Sequence, residues 1–596
     1  MSKGDEKQTS VKIIVPYFFK AIWKLKPSIY LCYFVEICMS FIQPMLITIM
    51  PRFVIDELLS GKDAKKVVTY VLIMVLGYEF CGLLVNFSKC QKAKQKDAIN
   101  RHFNMMLSQR TMCMDFQHTE NPDILNQIEQ IKSGMNYTGG STALLDCVSG
   151  IISGIMLVVG TGFLFMMGSP LLIIIMLIAI LLHVLLTGKS NAIEMKFYQE
   201  RASFDRSFAY ILWQLSNYRF GKEIRLYNAQ DMMLKKADYY NGALADKMKE
   251  QANAVVKVTG IDTLISLSQM ALVYLYLGIK VITKAIGYGD FAMYLSAITN
   301  FMNGIQSIFS HIQMIFNKSY YLGKLVDFLN MPNKMDSGEQ TPDYSKGHTI
   351  EFKHVYFKYA GANDYVLKDI SVSINSGEHV ALVGLNGAGK TTFIKLLCRL
   401  YDVEKGEILV DGINIKEYAY DSYVKLFSVV FQDFKLFSFS LRENIVCSDT
   451  EINEAQVESD LRKVGIFEKF DSLEKKMDTS LFKDFDEKGV EPSGGEQQKI
   501  AIARALYRDA SIIILDEPTA ALDPIAEMEI YTHFNDLVKE KTAIFISHRL
   551  SSCMFSDRII VFKDGKIIEM GSHNELLQIP DGEYAGMFNA QAVYYK

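Results

Sequence analysis

The chain has 596 residues, more than one core can hold, so two or more domains are expected. Hydrophobic residues make up 49%, so apolar side chains must be concentrated in part of the chain. A net charge of −4 excludes a nucleic-acid binder that works by bulk charge, and nine scattered cysteines with no C-x-x-C pair read as reduced core residues rather than a disulfide frame or thiolate metal site.

Near the start, Lys20, Lys24 and Lys26 alternate with Phe18, Phe19, Ile22 and Trp23, the pattern of a helix lying along a membrane surface. No small-residue cleavage pattern follows the first apolar run, so no signal peptide is expected. Apolar runs then recur at about 28–50, 67–87, 143–167, 171–187 and 262–282, with a weaker one near 288–316. The first five approach or reach the ~20 residues that span hydrocarbon. Gly168-Ser169-Pro170 makes a charge-free turn between the third and fourth. Lysine and arginine crowd residues 88–142 and 188–260, which places both termini and these two long connections in the cytoplasm. The connections keep a helical apolar period, so the spanning helices extend beyond the bilayer. Residues 1–330 therefore read as an all-α transmembrane domain of six spans.

Two sets of polar residues interrupt those spans. Glu36 and Glu79 lie inside the first and second runs, and Asn300, Asn303, Ser307, Ser310 and His311 recur at helical spacing in the sixth. Ionisable and polar groups at such depth either pair between helices or face a polar path. On the second reading they line a substrate pathway that favours cationic amphipathic cargo. On the first they are structural.

Residues 331–348, with two prolines, two glycines and many polar side chains, read as a linker. From 349 to 596 short alternating β runs mark an α/β domain. Its centre is Gly384-Leu385-Asn386-Gly387-Ala388-Gly389-Lys390-Thr391-Thr392, which fits G-x-x-x-x-G-K-[ST] between a buried strand (Val380 to Val383) and a helix (Phe393 to Leu397). Backbone N–H groups of such a loop close around phosphate oxygens at the positive end of the helix. Lys390 adds charge at the β/γ-phosphates of ATP, and Thr391 can reach Mg²⁺. Tyr359, just ahead, can stack on adenine or be an ordinary strand aromatic. Gln432 ends an apolar β run, where it can reach Mg²⁺ and the attacking water. Ile512 to Leu515 is a buried strand ending in Asp516 and Glu517, one acid for the Mg²⁺ shell and one to take a proton from water. His548 ends another strand and can donate to the γ-phosphate. Ser493-Gly494-Gly495 opens a second helix and so makes a second anion-binding end, whose simplest use is in trans, over ATP held by another copy.

The order Tyr359, phosphate loop, Gln432, Ser493-Gly494-Gly495, Asp516-Glu517, Ala521-Leu522-Asp523, His548 resembles the ATP-binding cassette family. With six spans ahead of it, the whole chain looks like an exporter-type half-transporter. The resemblance implies A-loop, Walker A, Q-loop, signature, Walker B, D-loop and H-loop roles in that order, the D-loop role falling on Asp523. It implies that parts of 115–128 and 209–225 act as coupling helices. The family's N-terminal peptidase extension is expected to be absent. One departure stands out: the family's L-S-G-G-Q reads Pro492-Ser493-Gly494-Gly495-Glu496. Glu496 either puts negative charge near a γ-phosphate and weakens the site, or simply sits well at a helix N-terminus. In heterodimeric exporters an altered signature often marks the weaker site, yet Glu517, often lost there, is intact.

The resemblance implies an ATPase that exports a peptide, drug or lipid-like amphiphile across the bacterial cytoplasmic membrane. Its partner would be a second half-transporter, as homodimer or heterodimer. An importer of the same architecture and a ligand-sensing or gating ATPase remain the alternatives.

Overall fold

The structure, a computed structural model, describes residues 11–592 except 169, 217–219, 334, 336–337, 346, 449–451, 518–540 and 548–549. Two compact units result: Met1–Cys113 with Pro122–Met331, and Met114–Asn121 with Pro332–Lys596.

The first unit is helical. α1 (Val11–Leu25) buries Ile14, Phe18 and Ile22 and leaves its lysines and Trp23 outside. Next come α2 (Ser28–Asp56) and α3 (Ala64–Cys113). The four-residue α4 (Phe116–Thr119), which folds with the second unit, leads to α5 (Pro122–Thr138), α6 (Ala143–Gly168) and α7 (Pro170–Ser216). A short α8 (Gly221–Leu226) leads into α9 (Gln230–Ile282) and α10 (Tyr288–Leu329).

Among the described residues five helices are long and apolar enough to cross a membrane: Ser28–Gly61, Ala64–Cys113, Ala143–Met166, Ile174–Glu194 and Gln230–Ile282. The sixth apolar run falls in α10, which has the length, 42 residues, but is interrupted by Asn300, Asn303, Gln306 and His311. At ~1.5 Å per residue, α3 and α9, with 50 and 53 residues, run well past the ~30 Å of a hydrocarbon layer.

α6 and α10 cross where small residues meet. A Cβ on Gly154 would lie 2.7 Å from the Gly304 carbonyl oxygen, so both positions must stay small for the backbones to touch. α2 carries Pro44 and Pro51 inside the helix. Near the first of these, the Thr48 hydroxyl bonds the Pro44 carbonyl at 2.9 Å.

Among the described residues the second unit has two sheets. β1 (Ile350–Phe357), β2 (Leu367–Ile374), β4 (Lys405–Val410) and β5 (Ile413–Asn414) form an antiparallel sheet in the order β2-β1-β4-β5. The larger sheet runs β10-β9-β3-β8-β7-β6, from β3 (His379–Gly384), β6 (Phe427–Val430), β7 (Ile512–Asp516), β8 (Thr542–Ile546), β9 (Arg558–Lys563) and β10 (Lys566–Gly571). Every pair from β9 to β6 is parallel. Strands buried on both faces need continuous apolar runs, which Ile512 to Leu515 and Ala543 to Ile546 supply. Parallel order brings the C-terminal ends of β3, β6, β7 and β8 to one edge, where ligands bind in open α/β sheets. The stretch 331–348 packs on this unit from Pro332 onward. Met335 and His348 are buried, and the Gln340 N–H donates to the Glu417 carbonyl at 3.0 Å.

Candidate functional site

The phosphate loop leaves the C-terminal end of β3 and turns into α11 (Lys390–Leu397). Gly389, the residue ahead of the helix, has φ of 107°, and a Cβ there would lie 2.6 Å from Leu367 Cδ2, so only glycine fits. Phe393 stacks on Phe352 with centroids 4.0 Å apart, which fixes α11 against the smaller sheet. Leu385, Asn386 and Gly387 are exposed, while Ala388, Gly389, Lys390 and Thr392 are buried and Thr391 is half-buried. Lys390 Nζ folds back on its own loop, donating to the carbonyls of Gly384 at 2.8 Å and Leu385 at 3.1 Å. Burial lowers its pKa from the ordinary value against the opposing pull of Glu517 and Asp516.

Asp516 ends β7, beside Ile546 of β8. Its side chain is fully buried, and neither carboxylate oxygen has a hydrogen-bond partner of normal geometry. Burial raises its pKa to about 6. The Thr391 hydroxyl and Lys390 favour the charged form, and Glu517 opposes it. Among the described residues no three His, Cys, Asp or Glu side chains cluster as a cation site. The residues here do fit Mg²⁺, which takes hard oxygen ligands from one or two carboxylates plus substrate phosphates. An orphaned buried carboxylate beside a threonine hydroxyl is such a partial set.

Glu517 follows with φ of 50°, a left-handed backbone that costs a residue other than glycine energy and is typical of positions held for function. Its Oε2 accepts a 2.8 Å hydrogen bond from Gln432 Nε2, which stands two residues past β6. The chain thus brings Lys390, Thr391, Gln432, Asp516 and Glu517 to one edge of the sheet.

Tyr359 is half-buried. Its hydroxyl shares a 3.0 Å hydrogen bond with Thr392, and its ring meets Tyr401 edge-on at 5.3 Å. Lys395 Nζ lies over the rings of Tyr359, Tyr401 and Phe116, at 5.8 to 5.9 Å. Lys395 also bonds Glu120 at 3.3 Å, and the Tyr401 O–H donates to the same carboxylate. The segment 114–121, which joins α3 to α5, is therefore tied to the helix that follows the phosphate loop. Nothing local in the sequence marks Lys395 or Tyr401 as partners of this segment.

After the short helices α12 (Tyr420–Tyr423), α13 (Leu441–Val446), α14 (Glu454–Lys463) and α15 (Phe467–Asp471), the second helix start is α16 (Gly494–Arg508). Ser493 caps it: its Oγ accepts from the Glu496 N–H at 3.4 Å, and its own N–H donates to Glu496 Oε2 at 2.8 Å. Lys469 Nζ holds the other oxygen of Glu496 at 2.6 Å. Burial by itself would raise the Glu496 pKa, but its bonds to Lys469 and Ser493 outweigh that and leave it below the ordinary value. Gly494 is exposed and Gly495 half-buried. Ser-x-x-Glu before a helix is a readable capping signal that the sequence reading passed over. Asp523 and His548 lie outside the described residues.

The membrane-unit candidates do not gather at one place. Glu36 forms an ion pair with Lys92, which lies 3.6 Å from Asp146; Asp146 in turn takes Lys96 at 2.6 Å and the Tyr33 hydroxyl at 2.8 Å. Glu79 and Asn303 are exposed. Ser307 donates to the Gly150 carbonyl at 3.2 Å. Asn300 donates to Thr48 Oγ1 at 2.7 Å.

Residues 367–520 match the family model described as ABC transporter. The chain is 31% identical to the subtilin transport ATP-binding protein SpaT of Bacillus subtilis over 573 residues, 95% of this chain and 92% of that one. It is 27% identical to the nisin transport ATP-binding protein NisT of Lactococcus lactis subsp. lactis, over 88% of each. Its fold matches that of a bacterial Atm1-family ABC exporter solved with ATP bound, with a TM-score of 0.81 at 21% identity, over 95% of this chain and 99% of that one. A helical unit with several membrane-crossing segments, a cytoplasmic ATP-binding unit behind it and full-length similarity to SpaT lead to one assignment: the chain belongs to the ABC transporter family, as an exporter-type half-transporter whose ATPase is coupled to transport.

Proposed function

We propose that two half-transporters, either two copies of this chain or this chain with a related one, export an amphiphilic cargo (a peptide, drug or lipid-like molecule) at the expense of ATP. The observation that carries the ATPase half is the buried Asp516 carboxylate, which has no hydrogen bond of normal geometry and stands beside Thr391 and Lys390. The cargo class draws on relatives named for the transport of subtilin and nisin.

Each residue then has a task. Tyr359 stacks on adenine. The N–H groups of residues 384–392 surround the phosphates, and Lys390 exchanges its two loop carbonyls for β- and γ-phosphate oxygens. Asp516, Thr391 and Gln432 would hold Mg²⁺, which neutralises charge on the phosphates when bound. Glu517 takes the proton of the attacking water once Gln432 releases it, and His548 donates to the γ-phosphate. Ser493, Gly494 and Gly495 of one half, with Asp523, close over the nucleotide of the other.

The test is ATP-dependent uptake of cargo into inside-out vesicles, with cargo-stimulated hydrolysis measured in parallel. Accumulation that needs ATP supports export. Depletion from the lumen would mean import, and stimulated hydrolysis without any movement would mean sensing or gating.

A further inference from the structure

Between α2, α3 and α10 lies a cavity of about 350 Å³, lined by Gln43, Pro44, Ile47, Tyr78, Ser296, Thr299 and Asn300. It is within the ~300–1,000 Å³ usual for ligand sites. Gln43 and Tyr78 stand 13 and 14 residues from the ends of their helices at Asp56 and Ala64, or ~20 Å at 1.5 Å per residue, so the cavity sits at membrane depth. Among the described residues no charged side chain lines it. Instead its lining includes two residues with carboxamides, Gln43 and Asn300, beside Ser296, Thr299 and Tyr78 and an apolar edge of Pro44 and Ile47.

Two of these residues, Ser296 and Asn300, are held in place from behind. Thr48, fully buried, bonds the Pro44 carbonyl at 2.9 Å, Ser296 Oγ at 3.1 Å and the Asn300 amide at 2.7 Å. That fixes Asn300 while spending only one of its two N–H donors, and a carboxamide also has two acceptor lone pairs. Gln43 makes only a long 3.4 Å contact to the Tyr78 carbonyl. Polar side chains at this depth are costly when they face lipid and are retained where they meet a polar path.

We infer that this cavity is a cargo subsite that takes an uncharged segment bearing amide groups, such as peptide backbone, by paired donor and acceptor bonds to Gln43 and Asn300. The inference rests on the export reading above and narrows its cargo class. It also removes the acids from cargo selection: Glu36 is already paired with Lys92, and Glu79 does not line the cavity. Thr48 acts here as a positioning residue.

The probe is an N-acetylated, C-amidated apolar peptide of about six residues carrying a benzophenone, added to the full chain in liposomes. Photolabel should map to segments 43–48, 78 and 296–300. Gln43→Leu with Asn300→Leu should weaken labelling about tenfold at unchanged basal ATP hydrolysis, the size expected from losing two neutral hydrogen bonds. Gln43→Glu provides a second arm should the double variant fold poorly: it should shift preference toward the same peptide with a free ammonium terminus. Label that maps elsewhere overturns the subsite. So does a parent protein that already prefers the ammonium form and loses that preference in Glu79→Gln, or equal competition by an uncharged glycolipid. Labelling of the cavity without ATP-driven accumulation would sink the export reading and leave the subsite standing, whereas accumulation with label elsewhere would do the reverse.

Discussion

The ATP-binding unit has two glycine-rich helix starts, and they are finished differently. α11 begins after Gly389, a residue with no side chain to cap with, and its first turn faces a loop of exposed glycine and asparagine. α16 begins after Ser493, which closes a reciprocal pair of bonds with Glu496, itself neutralised by Lys469. The first start leaves the helix dipole open to a ligand, and the second satisfies its own donors. The device at α16 is general in this chain. Ser440 with Glu443 caps α13 (Leu441–Val446), and Ser572 with Glu575 caps the helix His573–Leu577; in both the glutamate pKa is lowered by its bonds to the serine. Glu496 is thus first a capping residue. The difference teaches that the first start keeps its backbone donors free for a ligand, whereas the second has already spent its own on a cap.

The largest test of that contrast is Glu517→Gln. With Lys390, Thr391 and Asp516 intact, ATP should bind normally, while turnover should fall by ~10²–10⁴, the usual size of a general-base contribution. The variant should also accumulate as a closed pair with ATP, placing α16 of one half against the phosphate loop of the other. Purified protein showing near-parental turnover would remove Glu517 from the reaction.

Asp516→Asn should act in the opposite sense on stability. The carboxyl pKa is raised by burial to about 6, above its value in an unfolded chain, so the ligand-free fold prefers the neutral form. The penalty for the charge is absent below pH 4, grows as pH rises to about 6 and stays level above it. A shift of that size is on the order of 2–3 kcal/mol at most. Asp516→Asn should therefore raise the melting temperature of the ligand-free protein at pH 7.5 and not at pH 4, while abolishing the gain that MgATP gives the parent. Equal melting shifts at both pH values would mean the carboxylate is solvated after all.

Much of this unit was legible because its chemistry is local. The phosphate loop, Asp516-Glu517 and Gln432 each lie at the end of an apolar β run, and the parallel register of β3, β8, β7 and β6 does the assembling. What stayed hidden depends on distant pairing. Lys469 lies 27 residues ahead of Glu496, and Glu120 reaches Tyr401 across 281 residues. The membrane unit shows the same limit. Apolar runs announce long helices, but Glu36 looks like a pathway acid until Lys92, 56 residues on, turns out to neutralise it. The cavity is invisible in the sequence for the same reason: of its lining only Asn300 lies on the polar stripe of the sixth run that the sequence marks, and Gln43 and Tyr78 meet it through helix packing.

Ser493→Ala removes the cap of α16 and should cost ~0.5–2 kcal/mol of stability, read as a lower denaturation midpoint. If Ser493 also meets the phosphate of another half, the Michaelis constant for ATP should rise in the same variant. Ser440→Ala, which removes an equivalent cap from α13, serves as the control and should lower stability alone.

The smallest effect expected is that of Glu496→Gln. A free carboxylate at the signature would repel a γ-phosphate, and neutralising it would then tighten ATP closure. Here the charge is already matched: one oxygen takes the Lys469 ammonium and the other the Ser493 N–H. Glutamine keeps an acceptor for Ser493 but loses the ion pair and the favourable charge at the helix start, together ~0.3–1 kcal/mol in a partly exposed setting. The expected outcome is slightly lower stability with an unchanged Michaelis constant for ATP. Lys469→Met sharpens the point, since it strips the counter-charge and exposes the acid; that variant should need more ATP, and Glu496→Gln added to it should restore the parental value. A double-mutant cycle over the two positions measures the coupling directly. If Glu496→Gln alone lowers the Michaelis constant, the carboxylate reaches the nucleotide in spite of Lys469, and the two helix starts are less different than their caps suggest.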